Sequence, residues 1–336
     1  MPRMRGARLA IIAILGLVLL VSPGLAVKQT EASDRTAGSV STIAAKLLDD
    51  LRSVPVVAAS APKPRVFAKS YLLMDSESTT VLASKNTSLS VPIASTTKMM
   101  TAIVARQLYR LDEVVTVPAE IRQVPGSDID LVIGEKITVH ELLKGLLIQS
   151  GNDAAFALAY HLSPSGDDVS EQGASKTAVS ADYEPFVEEM NIQAASLHLT
   201  NTHYGDPAGL DDDDGRSTAL DLAHTARLLM KDPFLAKIVA TPSATITSVD
   251  GKYSHELKNS NRLIISEESY YLPQVTGIKT GFTPAAGHCL VSAYVKDGRT
   301  LIGVVLNTDE YTITASASEM KKLFGWAEQN VQQYEY

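Results

Sequence analysis

One cysteine, Cys289, occurs in a chain of 336 residues. A single thiol cannot close an internal disulfide or build a cysteine-ligated metal knot, so packing must hold the fold together. Cys289 sits in the apolar run GHCLVSAYV and reads as a small buried hydrophobe. Positive charge is also scarce, with 30 Lys and Arg against 38 Asp and Glu and a formal net charge of −8. That balance leaves no basic stripe to neutralise a phosphate backbone, and nucleic acid is excluded as a partner. The seven histidines form no H-E-x-x-H pair, since His140-Glu141 and His255-Glu256 both lack the second histidine. No metal and no cofactor are expected. Internal repeats are absent as well.

Long apolar runs are missing except at the N-terminus. There a basic stub, MPRMRGAR, precedes LAIIAILGLVLLV and the small-residue stretch SPGLAVK. These are the three parts of a secretory signal, with cleavage expected close to Ala26. The run also approaches the roughly 20 residues that span a bilayer. Residues 1–27 are therefore read as a signal peptide or an N-terminal membrane anchor. Either one makes the protein exported and extracytoplasmic, touching membrane only through that segment. Residues 28–64, ending in the Pro- and Ala-rich PVVAASAPKP, read as an extended linker, and residues 65–336 as the globular domain.

Within that domain, VFAKSYLLMDSESTTVLASKN reads as a hairpin, and a helix is expected from about Ser95 to Tyr109. A second helical region, VHELLKGLLIQSGNDAAFALAYHL, is interrupted at Ser150-Gly151-Asn152. The polar stretch SPSGDDVSEQGASKTAVSAD reads as a surface loop. Helices follow around EPFVEEMNIQAASLH and TALDLAHTARLLMKDP, then the strand-like ATITSV, VTGIKTGFT and HCLVSAYVKDGRTLIGVVLNT, and a closing helix, SASEMKKLFGWAEQ. Helices bracketed by strands predict an α+β domain, an antiparallel sheet flanked by helices.

Three short stretches carry chemistry. In ASTTKMM, Ser95 and Lys98 lie three residues apart, on one face of a helix. A serine hydroxyl needs an adjacent base, and a desolvated lysine can supply one. The bland reading makes Ser95 an N-cap and Lys98 a solvated first-turn residue. QSGNDAA exposes Ser150 and Asn152 between apolar flanks, and TGIKTGFT sets Lys279, Thr280 and Gly281 in a strand pattern, where the glycine marks a close approach. Each alone is weak. In the order S-x-x-K, S-G-N, K-T-G they match the triple signature of penicillin-binding proteins and class A β-lactamases, with Gly in place of Asp in the middle motif.

From about Val66 to Glu328 the chain resembles the serine D-alanyl-D-alanine carboxypeptidases, the low-molecular-mass penicillin-binding proteins. Beyond the three motifs, NTHYGDPAGL, STALDLAHTARLLM and NSNRLI are family-like and in family order. The resemblance implies a β-lactamase/transpeptidase-like fold with an all-helical subdomain. It implies Ser95 as the acylated nucleophile, Lys98 as its base and Ser150 as a proton relay. Asn152 would contact the substrate amide, with Lys279, Thr280, Gly281, Phe282 and Thr283 binding the rest of the substrate. The backbone N–H groups of Ser95 and Phe282 would form the oxyanion hole. The implied substrates are peptidoglycan stem peptides, and β-lactam antibiotics would act as inhibitors. The chain departs from the family in two ways. The arginine that members commonly carry before the last helix is absent from LNTDEYTITASASEMKK, leaving Lys279, Thr280 and Thr283, or Arg216, to hold a substrate carboxylate. A C-terminal β-rich domain is also not expected. Other readings are an endopeptidase cutting cross-links, a β-lactamase, disfavoured by Ser-Gly-Asn and by the lack of a poised Glu, and an inactive wall-binding homologue.

Overall fold

Runs such as SYLLMD and GHCLVSAYV show no polar alternation, so strands built from them must bury both faces. The computed structural model describes residues 54–163, 182–309 and 311–333 and provides that burial. Strands β2 (Ser70–Asp75), β3 (Val81–Lys85), β8 (Val275–Thr283), β9 (Gly287–Lys296) and β10 (Arg299–Leu306) form an antiparallel sheet of order β3-β2-β10-β9-β8. Leu72, Met74, Val291, Ala293, Ile302 and Val304 point to one face. They pack there with helices α1 (Lys98–Leu108) and α5 (Ala219–Lys231) in the larger core. Their neighbours Tyr71, Leu73, Leu290, Tyr294, Leu301 and Val305 point to the other face, against Met320, Leu323 and Phe324 of helix α7 (Ala315–Asn330). Each of those three side chains contributes about 1.5–3 kcal/mol by leaving water. Gly303 lets the helix come close, because a Cβ there would fall 2.5 Å from Met320 Sδ.

The helical region holds α2 (Val139–Lys144), α3 (Asn152–Tyr160), α4 (Glu184–Ser196) and α6 (Pro233–Val239). It also carries a two-stranded ladder, β4 (Val114–Thr116) with β5 (Lys136–Thr138). A second small ladder pairs β6 (Ser243–Thr247) with β7 (Ser254–Lys258).

The expected domain boundary at residue 65 moves. Strand β1 (Pro55–Val57) pairs antiparallel with β11 (Val331–Gln333), and Trp326 Nε1 donates to the Pro62 carbonyl at 2.6 Å. The last ten residues assigned to the linker are therefore docked, because their backbone groups find partners on the closing helix and strand. The signal or anchor segment, the first part of the linker and most of the 163–182 loop lie outside the described residues. No helix among the described residues is long and apolar enough to cross a membrane.

Cys289 is 1% exposed, and burial pushes its thiol up to about 12. A native sample should leave Cys289 unreacted with a thiol-exchange reagent at pH 8 for hours, and a denatured sample should react within minutes. Prompt native labelling would contradict this packing.

Candidate active site

The helix expected from Ser95 begins one turn later. Residues Ala94–Thr97 form a 3-10 turn, and α1 proper starts at Lys98. Ser95 caps nothing, since neither element has a side-chain cap. The hydroxyl is left free for another purpose. Ala94 sits at φ +49°, a left-handed conformation that a residue with a Cβ adopts only when its surroundings impose it. Two glycines impose it here. A Cβ on Gly209, itself at φ +80°, would lie 2.0 Å from the Ala94 carbonyl oxygen. One on Gly281 would lie 3.0 Å from both the Ile93 carbonyl oxygen and the Ser95 nitrogen. The serine turn is thus clamped between the 205–210 loop and strand β8.

Lys98 is fully enclosed rather than solvated. Its Nζ lies 2.8 Å from Ser95 Oγ, 2.7 Å from Asn152 Oδ1 and 2.8 Å from the Ala208 carbonyl oxygen. Two of those partners are acceptors only. A neutral amine, with two N–H bonds and one lone pair, must give its protons to Asn152 and Ala208. The lone pair is then left facing Ser95, the one partner with a proton to yield. Burial lowers the ammonium to about 7, opposed by the nearby carboxylates of Asp206 and Asp153. The base is therefore poised near neutrality.

Asn152 is fixed at both ends, since its Nδ2 donates to the Pro125 carbonyl at 2.6 Å. Its amide is engaged with Lys98 and the 125–127 segment. Helix α2 runs into a π-helical turn, Gly145–Gln149, and Ser150 follows at φ 73°, ψ 32°. This left-handed residue reverses the chain so that α3 can start at Asn152. Gly151 serves that turn too, because a Cβ there would strike Asp153 Oδ1 at 2.7 Å.

Ser95, Ser150, Thr280, Gly281 and Phe282 line one cleft of about 580 Å³. At least one residue of each of the three sequence motifs therefore lines this cleft. Lys279 stands behind the wall, 1% exposed, with Nζ donating to the Thr280 carbonyl at 3.0 Å. Burial and the neighbouring Lys98 hold its ammonium well below the usual lysine range. Thr280 Oγ1 shares a 2.6 Å hydrogen bond with Ser260, and Thr283 Oγ1 accepts from the Ala286 N–H at 3.1 Å. Phe282 stacks on His288 with centroids 4.2 Å apart, and burial lowers that imidazole. Arg216 does not reach the cleft; it donates to the Asp213 and Asp214 carbonyls of its own loop. The permanently charged side chain on the described wall is Arg262, paired with Glu268 at 2.8 Å.

Sequence reasoning missed two buried carboxylates. Asp153 accepts from the N–H groups of Ile129, Leu131 and Ala154. Asp206 accepts from those of Ala208, Gly209 and Leu210. The signal available was an Asp inside each of two polar turns flanked by Gly, Pro or Asn.

Residues 56–310 match the sequence profile of the peptidase S11 family, described as D-alanyl-D-alanine carboxypeptidase. The D-alanyl-D-alanine carboxypeptidase DacB2 of Mycobacterium tuberculosis is 34% identical over 249 residues, 73% of this chain and 76% of the relative. A D-alanyl-D-alanine endopeptidase of Escherichia coli is 31% identical over 269 residues, 79% of each chain. The crystal structure of the Streptomyces K15 DD-transpeptidase superposes with a TM-score of 0.69 at 31% identity, covering 80% of this chain and all of that one.

The Asp153 carboxylate carries the backbone of 129–131. Asp153→Ala should destabilise the fold by about 2–4 kcal/mol, since buried N–H groups lose a charged acceptor. Thermal melting checks this, and an unchanged midpoint would mean water replaces the carboxylate at no cost.

Proposed function

The chain belongs to the serine D-alanyl-D-alanine carboxypeptidase family, and on that premise we propose which of its atoms carry the reaction. The enzyme removes the terminal D-alanine of peptidoglycan stem peptides and binds penicillin, as its family does outside the cytoplasm. We infer that residues 1–27 deliver it there. The observation that carries the assignment is the three-point setting of Lys98 Nζ.

Ser95 Oγ adds to the carbonyl carbon between the two D-alanines while its proton passes to the neutral Lys98 amine. The N–H groups of Ser95 and Phe282 receive the developing oxyanion, the Ser95 one beside the close approach of Gly281. The peptide C–N bond then breaks, and the proton reaches the departing D-alanine nitrogen through Ser150. Water then attacks the ester and gives a proton to the neutral Lys98 amine; the ester C–O bond breaks, and Lys98 returns that proton to Ser95 Oγ. A β-lactam amide follows the first half of this course and leaves the serine acylated. Asn152 holds the base, and Thr280 meets the substrate at the strand edge.

Carboxypeptidase action requires positive charge for the terminal carboxylate, because an unpaired anion in a cleft costs several kcal/mol. Arg262 on the wall answers that need where Lys279 is enclosed and Arg216 is remote. Endopeptidase action on cross-links uses the same acyl-enzyme with a longer leaving group. The endopeptidase named among the relatives keeps it as the second reading.

Ser95→Ala should abolish labelling by fluorescent penicillin with the fold intact, and Lys98→Ala should slow it by roughly 10²–10⁴-fold. Full labelling of the serine variant would remove Ser95 from its role. Arg262→Ala should raise KM for a free D-Ala-D-Ala pentapeptide at least about tenfold while sparing a cross-linked dimer. Equal loss on both substrates, measured by released D-alanine and by muropeptide mass, would return carboxylate binding to Lys279. Faster cutting of the dimer by wild type would make the enzyme an endopeptidase.

A further inference from the structure

We propose that Asp206 is a positioning residue for acylation: it folds residues 206–210 so that the Ala208 carbonyl meets Lys98 Nζ, and it places a negative charge beside that base. The inference deepens the serine-acylation reading above and rests on it.

Asp206 is 6% exposed and lies in no strand or helix. Its Oδ1 accepts from the N–H groups of Ala208 at 2.6 Å and Gly209 at 2.8 Å, and its Oδ2 accepts from Leu210 at 2.9 Å. Three successive donors on one carboxylate fix the loop's curvature. With those N–H groups turned inward to Asp206, the loop carbonyls are free to face outward. The Pro207 carbonyl accepts from Thr101 Oγ1 of α1 at 2.6 Å, and the Ala208 carbonyl accepts from Lys98 Nζ at 2.8 Å, one helical turn away on the same helix. Gly209, next in line, backs onto the Ala94 carbonyl and presses the serine turn into its left-handed conformation. One buried carboxylate thereby holds the base's acceptor and the nucleophile's backbone.

The carboxylate also acts through charge. The groups facing Lys98 are Asp206 in the loop, Asp153 on α3 and Lys279 on β8. Of these, Asp206 is the largest influence opposing the desolvation of the lysine. Without its charge, Lys98 would lose its proton at lower pH.

Acylation by penicillin needs the lysine lone pair, so the rate in wild type should rise with pH through about 7. The test follows acylation rate from pH 5 to 9 by mass shift of the intact protein. Asp206→Asn keeps one oxygen for Ala208 and Gly209 but removes the charge. Its acid limb should lie about 1 pH unit lower, with a reduced plateau. Thr101→Val changes no charge and frees the Pro207 carbonyl, so its plateau should fall by about fivefold with the limb unmoved. An Asp206→Asn limb that coincides with wild type, or moves upward, overturns the proposal, as does a flat wild-type profile. If Asp206→Asn does not fold, the Thr101→Val plateau decides: an undiminished rate overturns the loop's role. Failure of wild type to be acylated at Ser95 would instead reject the underlying mechanism.

Discussion

Everything at the centre of this protein is arranged around the nitrogen of Lys98. An amine taken wholly out of water is costly unless each of its directions is filled, and the chain fills them from the adjoining turn and two distant segments. The nucleophile comes from the preceding turn, the Asn152 oxygen from the start of α3 and the Ala208 carbonyl from the 206–210 loop. Moving any of the three would leave either an unsatisfied buried donor or a lone pair aimed away from Ser95. The geometry that makes the lysine a base is also the geometry that makes its burial tolerable.

The sheet serves that arrangement. Its edge strand β8 delivers Gly281 against the serine turn, and its inner strands are buried on both faces, so the edge cannot shift without disturbing two cores. Glycine is required where backbone meets backbone, at Gly209 and Gly281, and where α7 crosses β10 at Gly303. A methyl group at Gly209 would lie 2.0 Å from the Ala94 carbonyl oxygen, one at Gly281 would press on backbone 3.0 Å away, and one at Gly303 would have to push the Met320 side chain aside.

Much of this was legible from local pattern. Ser95 and Lys98 share a helical face at any helix start, and the apolar runs of β2, β9 and β10 are long enough to declare themselves. Lysine burial was not legible, because nothing in S-x-x-K says what will cover it. Asp153 and Asp206 look like ordinary turn residues, and their importance comes from backbone donors that only the folded loop presents. The three-residue strands β1, β4, β5 and β11 exist through partners far along the chain, beyond the reach of any window of periodicity. The sequence marks Ser150 as an interruption, but no local pattern announces its left-handed turn after a π-helical segment. Arg262 lay unnoticed in NSNRLI because its relation to the cleft depends on where the 259–264 turn docks.

The strand order β3-β2-β10-β9-β8 bears on how the molecule is born. During synthesis the β2–β3 hairpin emerges well before β10, the neighbour that β2 requires on its other side. Until then one long side of β2 presents unpaired backbone groups and a two-faced apolar ribbon to whatever is nearby. The nascent chain must wait, guarded or unfolded, while everything between Asp75 and Arg299 is made before the sheet can close. The pairing of β1 with β11 comes later still, so Pro55–Val57 find their partners only after β10 has closed the sheet.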